Sequence, residues 1–303
     1  MRVRWASLVV AVTTVAACYA WAPAAGPATA PARKGWRAPP PAAATSGGGA
    51  SVPGPAERRD LTRALDDYLE DRPGRVAAAA FDLVTGAGYT YHDSGPFLLA
   101  SVAKAGILTA LLLRAQAAGR PLTRHERSRA GVMIRRSDNQ AASELYAAVG
   151  GRRGLARVLR GLGATATWPA PWPYWGATRG GPSEQLRVLW ALSSPAGPVS
   201  AANRRFAMRL MSSVVPGQAW GVSAAASAGD RVSLKNGWLP ARVHGGLWTV
   251  NSIGRLRSDG HDLLVAVLSE RSPGKDTGIA TVERVARLVV GTLRRDREPR
   301  RGA

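Results

Sequence analysis

A serine and a lysine one helical turn apart, Ser101 and Lys104, stand at the head of the apolar run FLLASVAKAGILTALLLRA, 97–115. A serine hydroxyl becomes a nucleophile when a neighbour takes its proton, and a lysine whose pKa is lowered by burial or by a second cation can do that. Serine is also a favoured helix N-cap, so the pair reads equally as the polar start of a core helix. If Ser101 caps the helix, both side chains share one face. The Ser101 N–H then lies where partial positive charge stabilises a developing oxyanion. Ser137-Asp138-Asn139 falls between two helical patterns, where its serine could relay a proton and its asparagine could bind a carbonyl. Lys235-Asn236-Gly237, in RVSLKNGWLP, adds a second cation, and a glycine on an edge strand lets a substrate backbone come close.

The elements that must position these residues follow from periodicity. Apolar spacing predicts a helix over 56–71 that stops before Pro73-Gly74. RVAAAAFDL and AGYTYHD form a hairpin around Val84-Thr85-Gly86. A long helix from the Ser101 stretch to Gly119 opens a block that continues at 124–135, 139–149, 151–161, 183–193 and 200–213. Strands at RVSLKNG, LWTVNSIGRL and DLLVAVLSE precede a last helix at 278–294. Strands segregated from a helical block argue for an α+β fold, a mainly antiparallel five-stranded sheet flanked by helices plus an all-helical lobe at about 101–214. A site is expected between the lobes.

The chain carries a formal charge of +21, with 37 arginines and only four lysines: Lys34, Lys104, Lys235 and Lys275. The basic residues are scattered, no recognition motif accompanies them, and a coding-composition bias explains them, so no nucleic-acid partner is expected. A basic surface still favours anionic lipids or wall polymers in general. His92, His125, His244 and His261 lack metal-ligand spacing and no Gly-rich phosphate loop follows a strand, so neither metal nor cofactor is expected.

Arg2 and Arg4 precede an apolar segment too short to span a bilayer, which reads as an export signal over 1–18. Two processing sites fit. Val15-Ala16-Ala17-Cys18 resembles a lipobox whose cysteine would be acylated, and Pro27-Ala28-Thr29-Ala30 resembles an ordinary cleavage site. Cys18 is the only cysteine, so the folded part has no disulfide. Residues 19–56, rich in Ala, Pro and Gly, read as a flexible tether, and 295–303 as a charged tail. The expected location is outside the cell or on the outer membrane face, with Cys18 as the lipid anchor where it is used.

The three motifs together resemble the penicillin-recognising serine enzymes, the class A β-lactamases and the related D,D-peptidases. Phe97-x-x-Ala100-Ser101-Val102-x-Lys104, SDNQAASEL with Gly150-Gly151, QAWGVS at 218–223, LKNGWLP and VNSIG occur in that family's order and span about 57–294. The resemblance implies Ser101 as acylated nucleophile, Lys104 as proton acceptor and Ser137 as proton carrier to the leaving amine. It implies that Asn139 holds the substrate amide, that Lys235 and Asn236 bind its carboxylate, and that the N–H groups of Ser101 and Trp238 form an oxyanion hole behind Gly237. The implied substrate is a β-lactam or a peptidoglycan-like peptide, handled by a monomer.

The chain departs from that family at one chemical step. Class A β-lactamases carry a loop glutamate that activates the deacylating water, whereas GATATWPAPWPYWGATRGG here has no acid between Glu144 and Glu184. Glu184, after Pro182-Ser183, reads as the start of a helix. Trp168, Trp172 and Trp175 read either as apolar cover for the loop or as a wall of the substrate groove. Asn236 stands where Thr or Ser is usual, and GGLWTV lacks the arginine often found on the next strand. The expectation is therefore an exported serine hydrolase acylated at Ser101 with slow deacylation. The alternative is an envelope binding protein that uses the fold without turnover.

Overall fold

The computed structural model describes residues 52–258 and 260–295. The export signal, Cys18, most of the tether and all but the first residue of the tail lie outside the described residues.

Helix α1 (Pro55–Leu69) is followed by β1 (Arg75–Asp82) and β2 (Gly88–Tyr91). A helical block follows: α2 (Ala103–Ala117), α3 (Arg124–Arg135), α4 (Asn139–Ala148), α5 (Gly151–Gly161), α6 (Pro182–Ser193) and α7 (Ala201–Met211). Two-residue strands β3 (Phe97–Leu98) and β4 (Arg179–Gly180) flank most of that block. Strands β5 (Arg231–Pro240), β6 (Trp248–Ser258) and β7 (His261–Ser272) and helix α8 (Lys275–Leu293) complete the chain. The five long strands pair antiparallel in the order β2-β1-β7-β6-β5, so β5 is an edge.

Both faces of this sheet are covered, which is why its central strands read as continuous apolar runs rather than alternating ones. In β1, Ala77, Ala79 and Phe81 join the core beneath the helical block, while Ala78 and Ala80 join the core shared with α1 and α8. Strand β7 divides in the same way, Leu264, Ala266 and Leu268 against Leu263, Val265 and Val267. Helix α2 runs through the first of these cores and is buried from Ala103 to Leu112, as an all-round apolar helix must be.

The α+β architecture is the one the patterning predicts, with two differences at the start of α2. Ser101 is not an N-cap: Ala100–Val102 form a 3₁₀ turn, Val102 occupies the cap position of α2, and no side chain caps it. The small β3–β4 ladder, Phe97 opposite Gly180 and Leu98 opposite Arg179, also escapes the sequence reading, because two residues carry no periodicity. It ties the strand before Ser101 to the end of the tryptophan-rich loop, and Leu99 N–H donates to Thr178 O at 2.8 Å to extend the tie. Helix α8 begins at Lys275, three residues earlier than expected.

Candidate active site

Ser101 is held by its neighbours on both sides. The buried Asn251 of β6 donates its amide to Leu98 O (2.8 Å) and Leu99 O (3.2 Å), and its Oδ1 accepts from Ser269 N–H (3.0 Å). Ala100 adopts a positive φ of 50°, an unfavourable conformation for alanine that this packing sustains. From the other side β5 presses in. A Cβ on Gly237 would lie 2.6 Å from Ser101 N, 2.7 Å from Val102 N and 2.9 Å from Leu99 O, so only glycine fits.

Lys104 is wholly buried, and its Nζ lies within hydrogen-bonding reach of four oxygens: Ser101 Oγ (2.9 Å), Ser137 O (2.6 Å), Ser137 Oγ (3.0 Å) and Asn139 Oδ1 (2.8 Å). Ser137 reaches it with both backbone and side chain because its φ is +58°, a turn that Asp138 follows by capping α4 with a bond from Ala141 N–H. Burial lowers the Lys104 pKa to about 7, opposed in part by the charge of Asp138. An uncharged amine has two N–H groups and one lone pair. Ser137 O and Asn139 Oδ1 can only accept, so they take the two N–H groups and the lone pair is left for a hydroxyl. Ser101 and Ser137 are the two hydroxyls in reach. An amine in this arrangement can accept a proton from either hydroxyl.

Lys235 is equally buried but, among the described residues, has a single hydrogen-bond partner, Asn236 O at 2.6 Å. Burial and the nearby Lys104 push its pKa well below the usual lysine value. Asn236 spends both amide hydrogens on its own protein, donating to Gln218 O and Trp220 O at 2.8 Å each. Its Oδ1 is buried without a partner among the described residues. The carboxylate-donating role expected for Asn236 is therefore not available in this arrangement, since turning the amide would face oxygen to two carbonyl oxygens. Trp238 follows, half-buried, its ring edge-to-face with Trp220 at 5.7 Å and 4.9 Å from Lys275 Nζ.

The tryptophan-rich loop between α5 and α6 reaches the site through one of its three indoles, and the three have different fates. Trp168 and Trp172 are 46% and 62% exposed, whereas Trp175 is 7% exposed and its ring centroid lies 4.7 Å from Lys104 Nζ. Trp175 Nε1 donates to Ser143 Oγ of α4 at 3.0 Å. The loop is anchored by the Trp168–Arg179 bridge and by Tyr146, which donates its hydroxyl to Ala170 O. Glu184 sits in the first turn of α6, as expected, and its Oε2 accepts from Ala166 N–H at 3.1 Å. A surface cavity of about 530 Å³ lined by Arg152, Arg153, Arg157, Arg160 and Trp168 shares no residue with the polar cluster of Ser101, Lys104, Ser137, Asn139 and Lys235. The polar cluster is the candidate site instead, because there, alone among the described residues, serine hydroxyls meet a buried lysine amine. Sequence reasoning missed the contact of Trp175 with Lys104 and the Asn251 support. The first had no distinguishing signal among three tryptophans; the second stood in VNSIG, a run noticed for its order alone.

No family model matches the chain, and no curated protein matches it by sequence. Solved structures match it closely in shape. The chain is similar to a variant of the reconstructed class A β-lactamase of the last common ancestor of Gram-negative bacteria. That match has 24% identity and a TM-score of 0.67 and covers 77% of this chain and 97% of the other. It is similar to the TLA-1 extended-spectrum β-lactamase at 15% identity and a TM-score of 0.71, covering 79% and 100%. A class A β-lactamase from Bacteroides cellulosilyticus matches at 18% identity and a TM-score of 0.68, covering 78% and 98%. The chain has the class A β-lactamase fold.

Proposed function

We propose that the protein is an exported active-site serine hydrolase that is acylated at Ser101 by β-lactams or D-Ala-type amides and releases the acyl group slowly. The observation that carries this reading is the Lys104 network. A buried amine with a pKa near 7, its two N–H groups committed to carbonyl oxygens and its lone pair to a serine, is a proton acceptor at neutral pH.

In the first half-reaction the Ser101 proton passes to Lys104 Nζ as Oγ bonds to the substrate carbonyl carbon. The oxyanion is received by the N–H groups of Ser101 and Trp238, with Gly237 permitting their approach. Collapse breaks the C–N bond, the leaving nitrogen takes the Ser137 hydroxyl proton, and Lys104 returns its proton to Ser137. Lys235 supplies positive potential for an anionic substrate group. The second half-reaction needs a base for water. The loop holds no carboxylate, and the first acid after it, Glu184, bonds the loop's own backbone.

The export signal read from the sequence supports a location outside the cytoplasm, with the Ala/Pro/Gly-rich segment as a spacer and Cys18 as the lipid attachment point where the lipobox, rather than the later cleavage site, is used. Among the described residues no helix is long and apolar enough to cross a membrane. Incubating the purified protein with a fluorescent penicillin tests the reading. We expect a covalent label that persists and that Ser101→Ala abolishes. Absence of label, or rapid hydrolysis without accumulation of an adduct, overturns it.

A further inference from the structure

We infer that Trp175 is a positioning residue whose indole seals the loop-side face of Lys104 against water, so that the ester formed at Ser101 is shielded from hydrolysis on that side. The inference rests on acylation at Ser101 as proposed above and adds a physical cause for slow release beyond the missing carboxylate. Three observations point to it. Trp175 is the one indole of the loop that turns inward, 7% exposed where Trp168 and Trp172 are largely open. Its ring lies over Lys104 Nζ at 4.7 Å, leaving no room there for a water in contact with the amine. It is fixed in place: Nε1 is bonded to Ser143 Oγ, its carbonyl accepts from Thr178 Oγ1 at 2.6 Å, and its turn packs on the turn that carries Ser101.

The same cover accounts for the state of Lys104. The groups facing the amine are Ser101 from its own segment, Ser137, Asp138 and Asn139 from the start of α4, Lys235 from β5, and Trp175 from the loop. Asp138 and the face of the Trp175 ring favour the charged form, and burial outweighs them. An apolar ring on the remaining face sustains that burial.

Removing the ring vacates more volume than a water needs, in a space lined by Lys104 Nζ and Ser143 Oγ, so water enters. That water can attack the acyl carbonyl carbon while its proton passes to Lys104 Nζ. The carbonyl-carbon to Ser101 Oγ bond breaks, and Oγ recovers a proton from Lys104. The acid is released and the enzyme is restored.

The test compares wild type with Trp175→Ala, Trp175→Leu and Trp175→Phe in two measurements. Intact-protein mass spectrometry follows loss of a penicillin adduct, and 13Cε NMR of 13C-lysine-labelled protein follows the titration of Lys104, one of only four lysines. In Trp175→Ala we expect adduct loss about tenfold faster and a Lys104 midpoint about one pH unit higher. Trp175→Phe, which keeps a flat cover, should match wild type in both, and Trp175→Leu should fall between and serves if the alanine variant does not fold. Unchanged adduct lifetime and midpoint in the uncovered variants overturn the seal. A wild type that forms no adduct overturns the proposed function instead, and the lysine titration then decides the seal by itself.

Discussion

The helical wall and the strand wall of the site each bury one lysine, and they treat it in opposite ways. Lys104, on α2, meets four oxygens from three residues, all arranged so that a proton can arrive and leave. Lys235, on β5, meets one backbone oxygen, and the asparagine beside it turns its donors onto the loop at Gln218 and Trp220. Burial lowers the pKa of both amines, and Lys104 adds to the effect at Lys235. What separates them is the hydrogen-bond inventory around each: one wall surrounds its amine with groups that could pass a proton, the other turns its donors onto its own loop.

Lysine-to-methionine exchanges break that contrast most directly. Lys104→Met removes the proton acceptor, and we expect the rate of penicillin labelling to fall about 10³-fold, the scale of a lost general base. Lys235→Met removes a cation that touches no reacting atom in this structure, and a loss of about tenfold is expected. Equal losses in stopped-flow or gel-based labelling would mean that both lysines handle the proton, and the division between walls would fall.

A smaller effect tests how the walls meet. Gly237→Ala places a methyl against the backbone of Leu99, Ser101 and Val102, none of which can rotate away. We expect labelling slower by about 10²-fold and stability lowered by about 1–3 kcal/mol of overpacking, read as a fall in the melting midpoint. The Lys104 titration should stay near 7, because its oxygens lie on the helical side. A shifted titration would show that β5 organises the helical wall as well.

The sheet and the helical block were legible because their signals are local and repeated. Ala77–Ala80 and Leu263–Leu268 are continuous apolar runs of strand length, and α2 is apolar all round. The helical half of the site was legible for a related reason: Ser101 and Lys104 are neighbours on one short segment, and Ser137-Asp138-Asn139 marks a junction between helices. The strand half was legible only in position. That Asn236 faces Gln218 O and Trp220 O depends on where a distant loop lands, and nothing in KNG encodes it. Trp175 fails for the same reason, since three tryptophans in a proline-rich loop have no period to assign one of them inward. The misjudged cap at Ser101 is a case of tertiary packing overriding propensity, the pressure coming from β5 and β6.

The smallest effect concerns stability and pH, and it asks whether Lys104 is held uncharged in the folded protein. Its folded pKa is about 7 against an ordinary 10.5, so between those values the unfolded chain binds the extra proton. Stability therefore rises with pH across that window, and the buried charge opposes folding fully only below it. Lys235 acts in the same direction. Tyr146 and Tyr91, whose pKa values are raised by burial, act oppositely once unfolded tyrosine ionises near 10, so the window to read is roughly pH 7–9.5. From pH 7 to 9 we expect a gain of about 2 kcal/mol, read as a rise of a few degrees in the melting midpoint. Lys104→Met should be more stable than wild type at pH 7 and should show a shallower rise, while Ser101→Ala, which leaves the amine in place, should keep most of it. If Lys104→Met retains the full slope and Lys235→Met loses it, the uncharged lysine belongs to the strand wall, and the roles drawn for the two walls must be exchanged.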